Sequence, residues 1–463
     1  MARLHPASHA ILRQLANLAY TEFYFRLGWN ASYNFQTSDL LMSSEQLIHL
    51  LDNHEDSQNA APFAAIELCI REYIYGGHIT DVIDHRLLGL VLSRFCCSDV
   101  LRPGHALSPS GEFRMPLQDG NQASWLRTVE GLPEVAPLEF LGLHESATAG
   151  RNNKETASLL SAVFLTQGAN NSKSIEFDNF KTVETRVDEL LCLLPSHELG
   201  HGEVKRGYLG GNIGFTDSSL AHEAGKYNVL TGAVQRSLFS ISSALSGKKN
   251  LGPSLEKMIS QIAGDEVPTD WCRFSYLSNS RLTAYIHDLV LRYNFFASWL
   301  LQQAPPIYWL SAFFSPVGFL SAMQLDYAAH SSQNIMNIYL RCSLLSVSEE
   351  NFRLADPLAH GVHVKGIFIH SGRWDLRRKG LVDCLPKSQF TAAPLIWFEP
   401  TITSTDRKPD GPFACPLYRT ASRSGQISSD GQSNNFVMCI DVPSPLPASH
   451  WIERGTAMLL QVE

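Results

Sequence analysis

The stretch from Gly361 to Pro400 most constrains the fold, because its apolar residues recur at the spacing of a β-strand and are interrupted by turn residues. A β-branched run ends at a turn, Ser371–Gly372, and a charged segment, Arg373–Lys379, leads to a second apolar run at Leu395–Phe398. The first run contains Val362, Val364, Ile367 and Ile369. This pattern predicts strands joined by turns rather than a helix.

The chain keeps the two-residue period from about Tyr339 onward. Two further runs, Phe436–Val442 and Ala457–Val462, alternate in the same way. Pro, Gly, Asp and Ser separate these runs, and short alternating runs between turn residues are typical of antiparallel sheets and barrels. The C-terminal part is therefore predicted to be an antiparallel sheet or barrel.

Residues 1–100 carry helical spacing instead, with two loops at Gly28–Asn30 and Tyr75–Gly77. Ser43 with Gln46 predicts a capping box at the start of one helix. The four apolar stripes are Ile11, Leu12, Leu15, Leu18 and Ala19; Leu47, Leu50 and Leu51; Phe63, Ile66 and Ile70; and Leu87, Leu88, Val91, Leu92 and Phe95. These stripes predict a helical bundle.

A segment rich in Gly, Pro and polar residues, Pro103–Pro137, is the best candidate for a domain boundary. A second helical block follows it and is interrupted by a glycine-rich loop, Gly200–Ser219. Its stripes are Leu159, Leu160 and Val163; Val183, Val187, Leu190, Leu191 and Leu194; Tyr227, Leu230, Val234, Ile241 and Leu245; and Leu282, Tyr285, Ile286, Leu289, Val290 and Tyr293. Gln and Pro interrupt the most apolar region, Trp299–Met323, so it is predicted to be core rather than a membrane span.

The composition is that of an ordinary globular protein. Of the 463 residues 44% are hydrophobic and 18% charged, and the net charge is −8. No clustered basic face is evident, which argues against a nucleic-acid partner. The nine cysteines are odd in number and scattered, and no signal segment precedes them, so we expect free thiols in a reducing compartment.

The sharpest chemical motif is His197–His201, which reads H-E-L-G-H and matches H-E-x-x-H. On a helix its two histidines would face one way and hold zinc, with Glu198 as general base and Glu223 as a candidate third ligand. Pro195 before the motif and Gly200 inside it favour a helix end running into a loop, because glycine destabilises a helix interior by about 1 kcal/mol. These flanking residues argue against a helical zinc site, and a zinc hydrolase is kept only as an alternative hypothesis.

No G-x-x-x-x-G-K-[ST] string occurs in the sequence. The nearest strings, Ser246–Lys249 and Asn171–Ser174, lack the glycine spacing that cradles phosphate oxygens. Gly207–Gly214 is rich in glycine, but no predicted strand precedes it, and it is interpreted as a surface loop. The sequence thus predicts no phosphate-binding loop in this chain.

Several residues could act as nucleophiles or acids, but none has a matching partner nearby in the sequence. The candidate nucleophiles are Cys96, Cys97, Cys415 and Ser311, and no G-x-S-x-G elbow occurs. Asp81 and Asp84 flank a predicted helix start and are interpreted as N-terminal caps. The aromatic residues Trp299, Trp309, Phe313, Phe314 and Phe319 are predicted to pack in the core. The sequence therefore assigns no catalytic, cofactor-binding or metal-binding residue.

Nearly the whole chain resembles the C-terminal part of a dynein heavy chain, most closely the axonemal type, through blocks that occur in the family's order. Leu27–Asn30 reads L-G-W-N, and Tyr75–Leu87 reads Y-G-G-H-I-T-D-V-I-D-H-R-L, with His78 where arginine is usual. The other blocks are Tyr33–Asp39, Phe140–Ala147, Pro305–Leu320, Arg373–Asp375, Leu385–Lys387, Cys415–Thr420, Asn434–Val437 and His450–Gly455. The H-E-x-x-H string falls in a region that diverges from the family.

The resemblance implies an α+β protein. Residues 1–102 would be the helical lid of the sixth AAA+ module, and 103–137 a linker. Residues 138–335 would be the helical part of the dynein C-terminal domain, and 336–463 its β-barrel part.

The resemblance also implies a non-catalytic segment that braces and regulates a microtubule motor. ATP and Mg²⁺ would bind in modules outside this chain, and microtubules would bind through a stalk outside it. The implied partners are the other AAA+ modules and the linker of the same motor, with intermediate and light chains indirectly, and the implied location is the cytoskeleton of the ciliary axoneme. The chain is then expected to be a fragment of a longer motor subunit. A free-standing adaptor that binds axonemal proteins is the other alternative.

Overall fold

The fold is described from a computed structural model, in which the chain divides into two compact units. The model describes residues 33, 37–52, 63–102, 104–106, 111, 114, 152, 155–156, 158–160, 162–163, 177–195, 197–199, 214–248, 250, 252–276, 278, 280–301, 304–345, 361–385, 388–402, 413–421, 423 and 435–462. The first unit comprises Met1–Leu160, Ile369–Thr391 and Pro412–Met458. The second comprises Ser161–Phe368, Ala392–Gly411 and Leu459–Glu463.

Three helices build the described N-terminal part of unit one, between residues 37 and 95. Helix α1 is Thr37–Asp52, α2 is Phe63–Leu68 and continues as a π-helical turn over Cys69–Ile74, and α3 is Val82–Phe95. Their apolar stripes meet in one core, which confirms the predicted helical interpretation for the described part of residues 1–100. This core contains Tyr33, Leu47, Ile66, Ile70, Ile74, Tyr75, Ile79, Leu87, Leu88, Leu92 and Cys96. The predicted stripe at Ile11–Ala19 and the loop at Gly28–Asn30 lie outside the described residues.

Of the two predicted helix starts, the one at Asp81 is confirmed and the one at Ser43 is wrong. Asp81 is the N-cap of α3, because its Oδ1 accepts from the Ile83 N–H at 2.8 Å. The predicted capping box at Ser43 and Gln46 is wrong, since α1 has begun by Thr37. Ser43 lies inside the helix, where its hydroxyl donates to the carbonyl of Asp39 at 2.7 Å.

The turn between α2 and α3 is a short 3-10 segment, Gly76–His78. Gly76 is buried, and a Cβ atom there would collide with the backbone carbonyl of Arg71. Gly77 is different, because a Cβ atom there would have nothing within 4 Å. The close approach of two backbone segments at Gly76 explains the first glycine of the pair.

Helices also dominate unit two. Helix α4 is Phe177–Leu193, α5 is Phe215–Leu245, α6 is Pro253–Ala263, α7 is Leu282–Leu301 and α8 is Pro316–Ser331. Val187, Tyr227 and Leu289 are each fully buried and represent three of the predicted stripes. The glycine-rich loop was predicted to extend to Ser219, but α5 begins at Phe215. The face predicted from Leu159, Leu160 and Val163 is exposed at 68%, 52% and 49%.

The Trp299–Met323 region is core, as predicted. Leu310, Ala312, Phe313 and Phe319 within it are at most 5% exposed, and the aromatic rings of this region contact one another, some stacked and others edge to face. The contacts include Phe313 with Phe319 at 4.4 Å and Trp299 with Tyr308 at 5.1 Å between ring centroids. In the ranges the structure describes, no helix is long and apolar enough to cross a bilayer.

Strands follow from Tyr308 onward and confirm the change of period. They are β1 Tyr308–Trp309, β2 Tyr339–Leu344, β3 Val362–Lys365, β4 Phe368–His370, β5 Arg373–Asp375, β6 Gly380–Val382, β7 Phe390–Ala392, β8 Ile396–Thr401, β9 Phe413–Thr420, β10 Phe436–Val442 and β11 Ala457–Gln461. One further helix, α9, is Ala448–Glu453. The protein is therefore α+β, as predicted.

The described strands form open sheets rather than the closed antiparallel barrel that was predicted. One sheet has the order β1-β3-β8-β2, another β10-β9-β11-β4-β7, and β5 pairs with β6 alone. The first sheet is mixed, because β1 runs parallel to β3, with Tyr308 opposite Val364. The expected alternation also fails in β11, where Ala457, Met458, Leu459 and Leu460 are all buried. Because successive side chains point to opposite faces of a sheet, both faces of this strand are covered.

The glycine pair offers a test of the turn before α3. Gly76→Ala places a Cβ against the Arg71 carbonyl, and we expect it to lower the free energy of unfolding by about 2 kcal/mol or more. Gly77→Ala is the matched control and should change it by less than about 0.5 kcal/mol. Urea denaturation followed by circular dichroism measures both, and equal effects of the two variants would contradict the packing described here.

Candidate functional site

The H-E-x-x-H motif does not form the helical zinc site of the hydrolase hypothesis. Helix α4 ends at Leu193, and His197 and Glu198 follow it as exposed, non-helical residues. Leu199 is held by Asn228, whose side chain accepts from its N–H at 2.7 Å and donates to its carbonyl at 2.8 Å. His201 lies outside the described residues. The alternative interpretation, a helix end that runs into irregular backbone, is confirmed.

Glu223, the candidate third ligand, has a structural role instead. It is 1% exposed on α5, and its two carboxylate oxygens accept from the N–H groups of Phe314 at 2.7 Å and Ser315 at 3.0 Å. These N–H groups immediately precede helix α8, whose first donors have no partner within the helix. Burial raises the pKa of the Glu223 carboxyl, against the opposing effects of these N–H groups and Lys226, whose Nζ is 3.9 Å away. No group of three or more potential metal ligands occurs in the described ranges.

The candidate nucleophiles are also buried in structural positions. Burial raises the pKa of the Cys96 thiol to about 12 and that of the Cys415 thiol to about 12, so both are protonated at neutral pH. Ser311 is 5% exposed, and Cys97 is half-buried. All nine cysteines lie in described ranges, and none of them forms a disulfide there.

A buried guanidinium organises the region around Ser311. Arg292 on α7 is 5% exposed; its Nε donates to Asp288 at 2.7 Å and its Nη1 donates to the Ser311 carbonyl. Its guanidinium carbon lies 4.0 Å from the ring centre of Tyr276 and 5.4 Å from that of Trp309. A buried cation with a carboxylate, a carbonyl and two aromatic faces around it is well compensated.

Two neighbours complete this arrangement, which we call the Arg292 hub and define as Arg292, Asp288, Tyr227 and Glu223. The Tyr227 hydroxyl donates to the Ala312 carbonyl at 2.5 Å, next to the Ser311 carbonyl that Arg292 holds. Glu223 accepts from the two N–H groups that follow. The hub therefore satisfies the main-chain polar groups of a buried irregular segment between β1 and α8.

In unit one, the polar residues of Tyr75–Leu87 form a buried network. The Tyr33 hydroxyl donates to Asp84 at 2.8 Å and accepts from the Asp81 N–H at 3.2 Å. Burial and the Asp84 carboxylate raise the pKa of Tyr33. Asp81 was correctly interpreted as a cap, whereas Asp84 is wholly buried and anchors Tyr33 instead. His78 Nε2 lies 3.2 Å from Asp39 Oδ1.

Helix α3 of this network packs on the C-terminal strands of the same unit. Arg86 lies over the ring of Phe413, 5.9 Å from its centre, and its Nη1 donates to the Ala414 carbonyl at 3.5 Å. Ile452 on α9 packs against the core that the three N-terminal helices share. Residues more than 300 positions apart are thus joined in one compact unit.

Comparison with known proteins assigns helix α3 and the C-terminal elements that it contacts, β9 and α9, to one family. Residues 19–147 match the family model for the AAA lid domain of dynein heavy chains, and 153–460 match the model for their C-terminal domain. The protein is 31% identical over 458 residues to dynein axonemal heavy chain 3 of Mus musculus, covering 98% of this chain and 11% of that protein. It is 30% identical over 438 residues to dynein axonemal heavy chain 12 of Homo sapiens, covering 94% of this chain and 14% of that protein.

The chain belongs to the dynein heavy chain family. It spans 11% to 14% of the length of these relatives. Helices α1, α2 and α3 lie within the lid match, and the remaining helices and all described strands lie within the C-terminal-domain match, apart from the last residue of β11. In this dynein segment, therefore, Arg86 and Ile452 carry a contact between lid and C-terminal domain.

Sequence reasoning missed the Arg292 hub and the Arg86 contact. One signal for the hub was available, because Arg292 lies three residues after Leu289 and one before Tyr293, on the apolar stripe of α7. A charged residue in a buried stripe indicates a buried pair or hydrogen-bond network. The Arg86 contact left no comparable signal, since Arg86 looks like any surface residue of an amphipathic helix.

Removing the hub cation should destabilise the dynein segment strongly. Arg292→Leu leaves the Ser311 carbonyl unsatisfied and Asp288 without its cation, and we expect a loss of about 3 kcal/mol in the free energy of unfolding. Arg281→Leu, at an exposed position just before α7, is the control and should cost less than about 0.5 kcal/mol. Chemical denaturation of both variants measures the difference, and a small effect at Arg292 would show that the hub is not stabilising.

The raised pKa of Glu223 predicts a pH dependence. Because the folded-state pKa lies above the ordinary value of 4.5, ionisation costs stability as the pH rises from 4.5 to the folded-state pKa, and the cost is absent below 4.5. Glu223→Gln cannot ionise, so the stability of the wild-type protein relative to this variant should fall as the pH rises. Urea unfolding of the wild-type protein and of Glu223→Gln at a series of pH values measures this difference in stability. If the free energy of unfolding of the wild-type protein instead rose with pH relative to that of Glu223→Gln, the raised pKa of Glu223 would be contradicted.

Proposed function

We propose that this chain forms the C-terminal, non-catalytic segment of an axonemal dynein heavy chain, where it braces and regulates an ATP-driven motor ring. The observation that carries the proposal is the packing of α3, in the lid match, on β9 and α9, in the C-terminal-domain match, within one compact unit. Such a contact ties the last AAA+ lid to the domain that follows it.

A brace must resist deformation, and the described contacts suit that role. The lid core is closed by Ile452 from the C-terminal part, and the Arg86 guanidinium adds a directional contact at Phe413. In unit two, the Arg292 hub holds an irregular segment in a fixed position between helices. Among the groups that could serve chemistry, Asp81 caps α3, Glu223 binds two main-chain N–H groups, and Cys96 and Cys415 are buried as neutral thiols.

The rest of the proposal follows from family membership. ATP and Mg²⁺ would be used in modules outside this segment, and microtubules would be contacted through a stalk outside it. The other AAA+ modules and linker of the same motor would be direct partners, intermediate and light chains indirect ones, and the ciliary axoneme the location. We also propose the boundaries 1–102, 103–137, 138–335 and 336–463.

An antibody raised against this chain tests the proposal. In extracts of ciliary axonemes we expect it to detect a polypeptide about nine times as long as this chain, since the aligned part is 11% of a relative. That polypeptide should sediment with microtubules and be released by ATP. A short polypeptide that fractionates away from motor heavy chains would contradict the proposal and favour the adaptor. Micromolar affinity of the purified protein for Mg-ATP would contradict the non-catalytic assignment.

A further inference from the structure

The hairpin formed by β5 and β6 carries a dense group of positive charge. Arg373–Lys379 contains four cationic side chains and one carboxylate, in a protein whose net charge is −8. Arg373 pairs with Val382 and Asp375 with Gly380, so the four residues between Asp375 and Gly380 form the tip. All four tip residues, Leu376, Arg377, Arg378 and Lys379, are exposed.

The tip has a fixed backbone. Asp375 Oδ1 accepts from the N–H groups of Arg377 at 2.8 Å and Arg378 at 3.2 Å, and Lys379 adopts a left-handed conformation with φ of 49°. The base is anchored as well, because Leu381 is fully buried and its N–H donates to the Pro443 carbonyl at 2.8 Å. The tip cations therefore project from a rigid support, which lowers the entropic cost of binding.

The nearby carboxylates are already occupied. The two backbone hydrogen bonds lower the pKa of Asp375, whose charge is directed at the turn itself. Asp383 at the base binds Arg454 at 2.6 Å and His450 at 2.9 Å. In the part of the chain that the structure describes, Arg377, Arg378 and Lys379 have no carboxylate within salt-bridge distance.

We propose that this hairpin tip, Leu376–Lys379, is a docking site for a glutamate-rich segment of a partner protein. Two guanidinium groups can each bind a carboxylate through two parallel hydrogen bonds, and Lys379 adds a third charge. Leu376, 55% exposed at the start of the tip, offers apolar contact to the stems of glutamate side chains. This inference goes beyond the proposed bracing role and does not depend on it.

The size and setting of the patch favour a peptide over other polyanions. Nucleic acids and anionic bilayers present extended arrays of charge and are bound by correspondingly extended basic faces. Here the cations occupy one narrow turn on a protein of net negative charge, which would repel an extended anionic surface. A single acidic strand or helix end can reach the turn without approaching the rest of the protein.

Fluorescence anisotropy with the complete 463-residue protein tests the proposal. The probe is a labelled peptide of ten glutamates, titrated at low and at physiological salt. We expect saturable binding that weakens with salt, and at least a tenfold loss of affinity in the double variant Arg377→Glu, Arg378→Glu. The control is Arg236→Glu with Lys257→Glu, two positions of unit two that change the net charge equally. It should lower the affinity by less than threefold.

Three results would overturn the proposal. Equal losses in the hairpin and control variants would mean that net charge alone determines binding. If the glutamate peptide did not bind even at low salt, the hairpin tip would not be a docking site for acidic segments. Tighter binding of single-stranded RNA or phosphatidylserine vesicles than of the peptide would assign the hairpin to a different polyanion. Circular dichroism of both double variants checks that the fold is retained.

Discussion

An irregular segment can enter a protein core only if its peptide groups find hydrogen-bond partners, and this requirement shapes unit two. The segment between β1 and α8 is buried through Leu310 and Phe313, yet most of it belongs to neither a long helix nor a strand. Arg292, Tyr227 and Glu223 supply the donors and acceptors that it lacks. The packing of α5, α7 and α8 therefore depends on three polar side chains inside an otherwise aromatic core.

The same requirement governs the lid helices of unit one. Asp81 satisfies a backbone N–H at the start of α3, and its own N–H is satisfied by Tyr33. Tyr33 in turn donates to the buried Asp84. Each member of this series of hydrogen bonds covers a group that would otherwise be buried without a partner, and together they fix where α3 begins. The position of α3 then decides which residues reach the C-terminal strands.

These networks also explain why ionisable groups that resemble catalytic residues do not need a catalytic role. A buried carboxyl with a raised pKa is a usual sign of an active site, but both oxygens of Glu223 are directed at the start of a helix. The thiols of Cys96 and Cys415 are kept protonated by the cores around them. The described contacts therefore account for the burial of the Glu223 carboxyl and of both thiols.

The sequence by itself determined the α+β class, most of the helix stripes and the family, because hydrophobic period and ordered blocks such as Tyr75–Leu87 are local properties. It also indicated that the H-E-x-x-H string lies where a helix gives way to a loop, since glycine and proline act through their own backbone. Tertiary structure alone decided that Glu223 accepts from the two N–H groups before α8, that Arg292 is buried and that Arg86 contacts Phe413. It also decided that the described strands form open sheets with one parallel pair. Those outcomes depend on partners from fewer than 20 to more than 300 positions away. The spacing of residues along the sequence does not indicate which of these groups will meet.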